Sequence, residues 1–255
     1  MLDDPPILKV RKPIRRPTEK QILAFTDAIT SNVADCMDGR GTMHHSIKPL
    51  QMNSATFCGP ALTCFSYPAD NLAVMGALHL SEPGDVIVCA NDAFETTAVI
   101  GDLVCGMMKN KGVAGFVTDG MVRDQKGIEP WLLPVFCRGV NPNSPAKTGP
   151  GSVGLPIHIG GITVETGDII IGDIDGVAVV PFSRIDEVIT KLETLTAAEA
   201  VFETRVKSGL AEPDLAPPSP PISTDCGWST VISISRRAPR RAVGLDALLF
   251  PVMPT

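Results

Sequence analysis

The chain has 255 residues, 44% of them hydrophobic and 20% charged, which is enough for one sizeable buried core and one main domain. A net charge of −6 argues against a broad nucleic-acid footprint, because a phosphate backbone is gripped by clustered Lys and Arg. No apolar run approaches the ~20 residues that span a bilayer, so no membrane partner and a cytoplasmic location are expected.

Residues 1–17 read as a Pro-broken N-terminal arm carrying Lys9, Arg11, Lys12, Arg15 and Arg16, and the reading preferred for it is a solvated tail. Thr18 and Gln21 have capping-box spacing, and Ile22, Leu23, Phe25 and Ile29 follow at helical intervals, which predicts a helix over about 18–30. A second, short helix is predicted from about Ser31 to Asp38, stopped by Gly39 and Gly41. Pro60 to Tyr67 reads as a buried strand, and Asp70 is placed to cap a helix through Leu80. Strand Val86–Ala90 comes next, then a helix with apolar positions Val99, Ile100, Leu103, Val104, Met107 and Met108, then strand Val113–Thr118, completing a β-α-β unit.

From Pro134 the texture becomes β-rich, with short strands predicted at 135–137, 156–159, 162–164, 169–171 and 177–180 between glycine turns. A long helix from about Ser183 to Ser208, with Ser183 and Asp186 as a capping pair, closes a domain that spans 18–209. Residues 210–255 read as a Pro-rich linker and an extension with a strand-like stretch at 231–234 and four arginines at 236–241, also taken as a solvated tail.

Several motifs fail on context. Gly149 to Gly154 matches Gly-x-Gly-x-x-Gly but follows no strand and opens no helix, so it reads as a loop. Asp173-Ile-Asp175-Gly176 reads as a hairpin turn, not a calcium loop, since strand residues follow at once. The four histidines (His44, His45, His79 and His158) lack metal-ligand spacing, and the seven scattered cysteines read as reduced, mostly buried thiols. Lys48 is a faint Schiff-base contender, the other lysines lying mostly in polar loops or helix ends.

Carboxylates remain. Asp119-Gly-Met-Val-Arg123-Asp124 leaves the end of an apolar strand, where ligands bind in open α/β sheets, and its Arg and Asp offer an anion clamp and a hard-cation ligand within one reach. Asp102 is the only charge in Ala98–Gly106, and Gly101 before it leaves the backbone N–H groups of a helix start open to a ligand; a helix-dipole acid is an equal reading of Asp102. Glu199 falls in line with Leu192, Leu195, Phe202 and Val206, so it is either a partnered carboxylate on an apolar stripe or an edge acid reaching water. Carboxylates and an arginine without clustered Cys or His favour Mg²⁺ or Mn²⁺ over zinc.

The ordered series Gly101–Val104, Gly115–Asp124, Gly160–Asp168 and Asp173–Pro181 resembles the 4-hydroxy-4-methyl-2-oxoglutarate and 4-carboxy-4-hydroxy-2-oxoadipate aldolases, a fold family that includes regulators of ribonuclease E activity. The likeness runs from about Ile22 to Gly209. It implies a layered α/β/α-type sandwich of the swivelling-domain kind, assembled as trimers or hexamers with active sites between subunits. It also implies that Asp124 binds the metal directly, that Asp102 and a neighbouring subunit's Glu199 hold metal-bound waters, and that Arg123 and the backbone of Gly101, Asp102, Leu103 and Val104 bind a 2-oxo acid. The family often carries Glu where Asp102 stands, so a shorter acid lengthens that water contact. The expected activity is metal-dependent retro-aldol cleavage to pyruvate with oxaloacetate decarboxylation beside it; the alternative is a protein-binding regulator of an RNA-degrading complex. A phosphohistidine carrier using His44 or His45 lacks a phosphate loop.

Overall fold

The structure, a computed structural model, describes residues 6–212. The first half of the chain runs β1 (Leu8–Val10), α1 (Glu19–Leu23), α2 (Thr30–Asp35), β2 (Lys48–Pro49), β3 (Phe57–Ser66), α3 (Leu72–Leu80), β4 (Val86–Ala90), β5 (Ala98–Ile100) and α4 (Asp102–Asn110). Then come β6 (Gly115–Thr118), β7 (Met121–Val122), α5 (Gln125–Ile128), β8 (Val135–Cys137), β9 (Gly139–Val140) and β10 (Gly151–Val153). The last elements are β11 (Ile157–Ile159), β12 (Ile162–Val164), β13 (Ile169–Asp173), β14 (Gly176–Val180) and α6 (Ile185–Lys207). The linker from 213 onward, the strand-like 231–234, Cys226 and the C-terminal arginine cluster lie outside the described residues.

The result is mixed α/β around a central sheet. Strands β3, β4, β6 and β8 pair in parallel, as buried β-α-β units require, and are apolar almost throughout. The ten-residue β3 organises the rest: its first half pairs with β13 and its second half with β10, both antiparallel. One face of the sheet packs α3 and α4 through Leu62, Ile87, Phe116 and Met108. The other packs the β11–β12 hairpin through Val88, Val117 and Ile159, while α2 and α6 cover the β13–β14 hairpin through Ile171, Val180 and Val188. The six described cysteines are free thiols, five of them buried, and burial pushes those of Cys58 and Cys105 up to about 12.

The Thr18–Gln21 capping box forms, but the helix it opens ends at Leu23 instead of near residue 30. Thr30 explains the break. Its N–H and hydroxyl both donate to the Asp173 carboxylate at 2.8 Å, so the tip of the β13–β14 hairpin caps α2 and pulls Ile29 into extended backbone. This tertiary cap overrides the helical periodicity. Val99 and Ile100 likewise belong to a strand, β5, which pairs with β7, and α4 begins only at Asp102 after the extended Gly101. The Gly149–Gly154 loop contains β10, brought to the free edge of β3 by Asp70, whose carboxylate accepts the N–H groups of Thr148 and Gly149 at 2.6 and 2.9 Å. Ser183 and Asp186 form no capping pair: Ser183 sits in a 3-10 turn, and Asp186 accepts from Gln21 at 2.8 Å.

The N-terminal arm is not a solvated tail from Leu8 on. Strand β1 pairs with β10, and Arg16 grips Asp85 with Nε and Nη2 at 2.9 and 2.7 Å. The Asp85 side chain is 2% exposed, and its carboxylate also accepts the Glu82 N–H. We expect Arg16→Met, which strands that buried carboxylate, to lower stability by about 2–3 kcal/mol in urea unfolding, and Arg16→Met with Asp85→Asn to recover part of the loss. A loss under about 0.5 kcal/mol would show the pair to be idle.

Candidate active site

Strands β5 and β7 run in parallel, with Ala98 opposite Met121 and Ile100 opposite Val122. Their carboxyl ends therefore coincide, and the Arg123 N–H donates to the Ile100 carbonyl at 3.0 Å. This register sets Gly101 and the start of α4 beside Arg123 and Asp124, at the end of the strands where open α/β sheets bind ligands. Asp119, from the same sequence motif, is scaffold: it is buried, accepts the N–H groups of Asn91 and Ala93, and is pushed up from the usual carboxylate range by burial.

Arg123 Nη1 donates to Ser144 Oγ at 2.6 Å, and Nε lies 3.3 Å from Asp124 Oδ2. Asp124 sits in left-handed backbone at φ 58°, which turns its carboxylate back toward Gly101. A Cβ on Gly101 would lie 2.5 Å from Asp124 Oδ2, so the missing side chain is what lets the acid approach the helix start. Asp102 lies over Gly127 of α5 and accepts the Leu103 N–H at 2.7 Å, leaving its second oxygen for another donor. Gly101 to Val104 and Arg123 line a cavity of about 210 Å³. A larger cavity of about 400 Å³ elsewhere is lined by His44, His158, Asp92 and Arg138.

The profile of the RraA-like family, described as Aldolase/RraA, matches residues 30–179. The chain belongs to the RraA-like family. Among relatives of this family it is 38% identical over 74% of its length to a Halalkalibacterium halodurans protein, 90% of which is covered, whose provisional name is 4-hydroxy-4-methyl-2-oxoglutarate aldolase. It also matches the RNA-processing inhibitor RraA from Thermus thermophilis at a TM-score of 0.57 and 26% identity, over 61% of this chain and 93% of that one. An unusual Streptomyces coelicolor member of the RNase ES inhibitor RraA family matches at 0.67 and 25%, over 74% and 100%.

In this RraA-like chain Glu199 stands apart from the cavity. It lies exposed on α6, accepts from Asn32 Nδ2, and lines a groove with Phe202 and Val206, both half-exposed. Among the described residues no three His, Cys, Asp or Glu side chains converge as a metal cage. The donors present still suit Mg²⁺ or Mn²⁺, which take hard oxygen ligands and commonly use one or two carboxylates with waters and substrate completing the shell. No described helix is long and apolar enough to cross a membrane.

Sequence reasoning missed Asn71, Ser144 and Lys147, which line the same cavity. The last two arrive on the 141–149 loop, about 20 residues beyond Arg123, and no spacing links them to it. Asn71 left a faint signal only through its neighbour Asp70, legible as a cap; Asp70 Oδ1 does accept the Leu72 N–H at 2.8 Å.

Proposed function

We propose that this RraA-like protein is a lyase that cleaves a 4-hydroxy-2-oxo acid to release pyruvate, with Mg²⁺ or Mn²⁺ as cofactor. The observation that carries the reading is the convergence of a helix N-terminus, an arginine and a carboxylate on one small cavity. Asp124 would hold the cation directly, with Asp102 and Glu199 acting through water, Glu199 coming from a neighbouring copy in a trimer or hexamer. When bound, the cation supplies Lewis-acid charge at the keto oxygen, worth several kcal/mol.

The chain's own groups do the rest. The 2-oxo acid's carboxylate meets the N–H groups of the first turn of α4, of which that of Leu103 already donates to Asp102, and there the helix dipole favours an anion. Arg123, its fork fixed by Ser144, faces the 2-oxo oxygen on which charge accumulates. Water positioned by Asp102 and Asp124 takes the proton of the 4-hydroxyl. That hydroxyl becomes a carbonyl, the C3–C4 bond breaks, and its electron pair moves into C2–C3 as the enolate of pyruvate, which is then protonated at C3. Oxaloacetate losing carbon dioxide leaves the same enolate, so its decarboxylation is expected at the same site.

The test is pyruvate release by purified protein from 4-hydroxy-4-methyl-2-oxoglutarate, 4-carboxy-4-hydroxy-2-oxoadipate and oxaloacetate. Release that requires Mg²⁺ or Mn²⁺ and stops with chelator is the expected result. Silence on all three from folded, metal-supplied protein would favour the other reading, a protein-binding regulator of an RNA-degrading complex, for which the names of the two RraA neighbours speak.

A further inference from the structure

The larger cavity, of about 400 Å³, shares no lining residue with the first and falls within the ~300–1,000 Å³ of small-molecule pockets. It lies at the carboxyl ends of the parallel strands β4, β6 and β8, where open α/β sheets bind ligands. The residues that follow those strands line it: Asp92 and Ala93 after β4, Asp119 after β6 and Arg138 after β8. The β11–β12 hairpin adds His158 and Gly160, and the segment before β2 adds His44.

Hydrogen bonds brace this cavity. The Asp119 carboxylate accepts the N–H groups of Asn91 and Ala93 at 2.8 and 3.2 Å, and Arg138 Nη1 donates to the Ala93 carbonyl at 3.4 Å. Between them Asp92 and Ala93 are held in left-handed backbone at φ 57° and 53°, a conformation that alanine resists and that gathers at ligand sites. The His44 N–H donates to the Gly160 carbonyl at 2.8 Å, and His44 Nδ1 accepts the Ser46 N–H at 3.3 Å, which orients the ring and leaves Nε2 for a ligand.

Groups of both signs are left with capacity to bind. Arg138 Nη2 pairs with Glu95 at 3.0 Å, yet the guanidinium keeps N–H groups to spare. The side chains of Asp92 and His158 have no hydrogen-bond or ion-pair partner among the described residues. Burial first, and the charge of Asp92 more weakly, push the Asp119 carboxyl up, so the two acids lie close enough to repel.

We infer that this cavity binds an amino acid, whose ammonium group meets Asp92 and whose carboxylate meets Arg138 and the imidazoles of His44 and His158. A zwitterion answers both signs at once: a simple cation leaves Arg138 unused, and a simple anion leaves Asp92 unpaired. The site stands apart from the lyase reading, and a protein without lyase activity would bind the same ligand.

The experiment screens the standard amino acids against the full chain by thermal unfolding. Calorimetry then compares the one that stabilises it most with the amine lacking its α-carboxylate and the acid lacking its α-ammonium group. The amino acid should bind about tenfold more tightly than either analogue. Asp92→Asn keeps a residue that tolerates left-handed backbone; it should weaken the amino acid about tenfold and leave the acid analogue within about twofold of its wild-type affinity. Arg138→Met should weaken the amino acid to a similar degree and leave the amine analogue within about twofold. Stabilisation by no amino acid would overturn the proposal, as would variants that weaken all the compounds together or none of them. Binding lost in Arg123→Met and kept in both of these variants would put the ligand in the first cavity and overturn it too.

Discussion

Asp124→Asn should reduce metal-dependent pyruvate release by about 10³-fold or more while leaving the fold intact, because it removes the charge that would hold the cation and keeps the side-chain shape. Asn is chosen over Ala for a backbone reason. Asp124 adopts φ 58°, a left-handed conformation that Asn tolerates and Ala resists by roughly 1 kcal/mol, so Asp124→Ala mixes backbone strain with lost chemistry. The carboxylate is half-exposed and its ion pair with Arg123 is long at 3.3 Å, so little stability depends on it. Pyruvate release at saturating Mg²⁺, read beside thermal unfolding, checks both halves. Activity within tenfold of wild type would remove Asp124 from the proposed metal site.

What could be read from the sequence follows a physical division. Elements made by a local pattern, such as strand Val86–Ala90 and the Thr18–Gln21 capping box, stand where periodicity and spacing put them. Elements made by distant partners do not. Nothing near Thr30 announces that Asp173 will cap it, and nothing in Gly151–Val153 announces that β3 has a free edge waiting. Val99 and Ile100 fit a helical stripe as well as a strand, and only their pairing beside Met121 and Val122 decides between the two. The candidate site divides in the same way. Gly101, Asp102 and the Arg123–Asp124 pair stand out because charges and a glycine interrupt apolar runs, whereas Lys147 and Ser144 are ordinary loop residues until the anchored loop brings them to the cavity. Glu199 does interrupt an apolar stripe, yet within one chain it reaches Asn32 and not the other carboxylates.

Gly101→Ala separates positioning from identity, because it alters no proposed ligand. Extended backbone at φ −134° accepts alanine without strain, so the whole effect falls on what the new methyl meets. It would lie 2.5 Å from Asp124 Oδ2 and 3.1 and 3.2 Å from Arg123 Cγ and Nε, and both side chains must swing away from the start of α4. A displacement of about 1 Å in a positioned site costs on the order of 10²-fold in rate, and that is the loss expected in kcat/KM for pyruvate release. Gly127→Ala is the comparison: the three atoms nearest its methyl all belong to Asp102, with Oδ2 at 2.6 Å, Cβ at 2.8 Å and Cγ at 3.0 Å. If Asp102 acts only through water, moving it should cost about tenfold. Equal losses in the two variants would mean that Asp102 holds the cation as directly as Asp124 does. No loss in Gly101→Ala would mean that the helix start and the Arg123–Asp124 pair are not parts of one site.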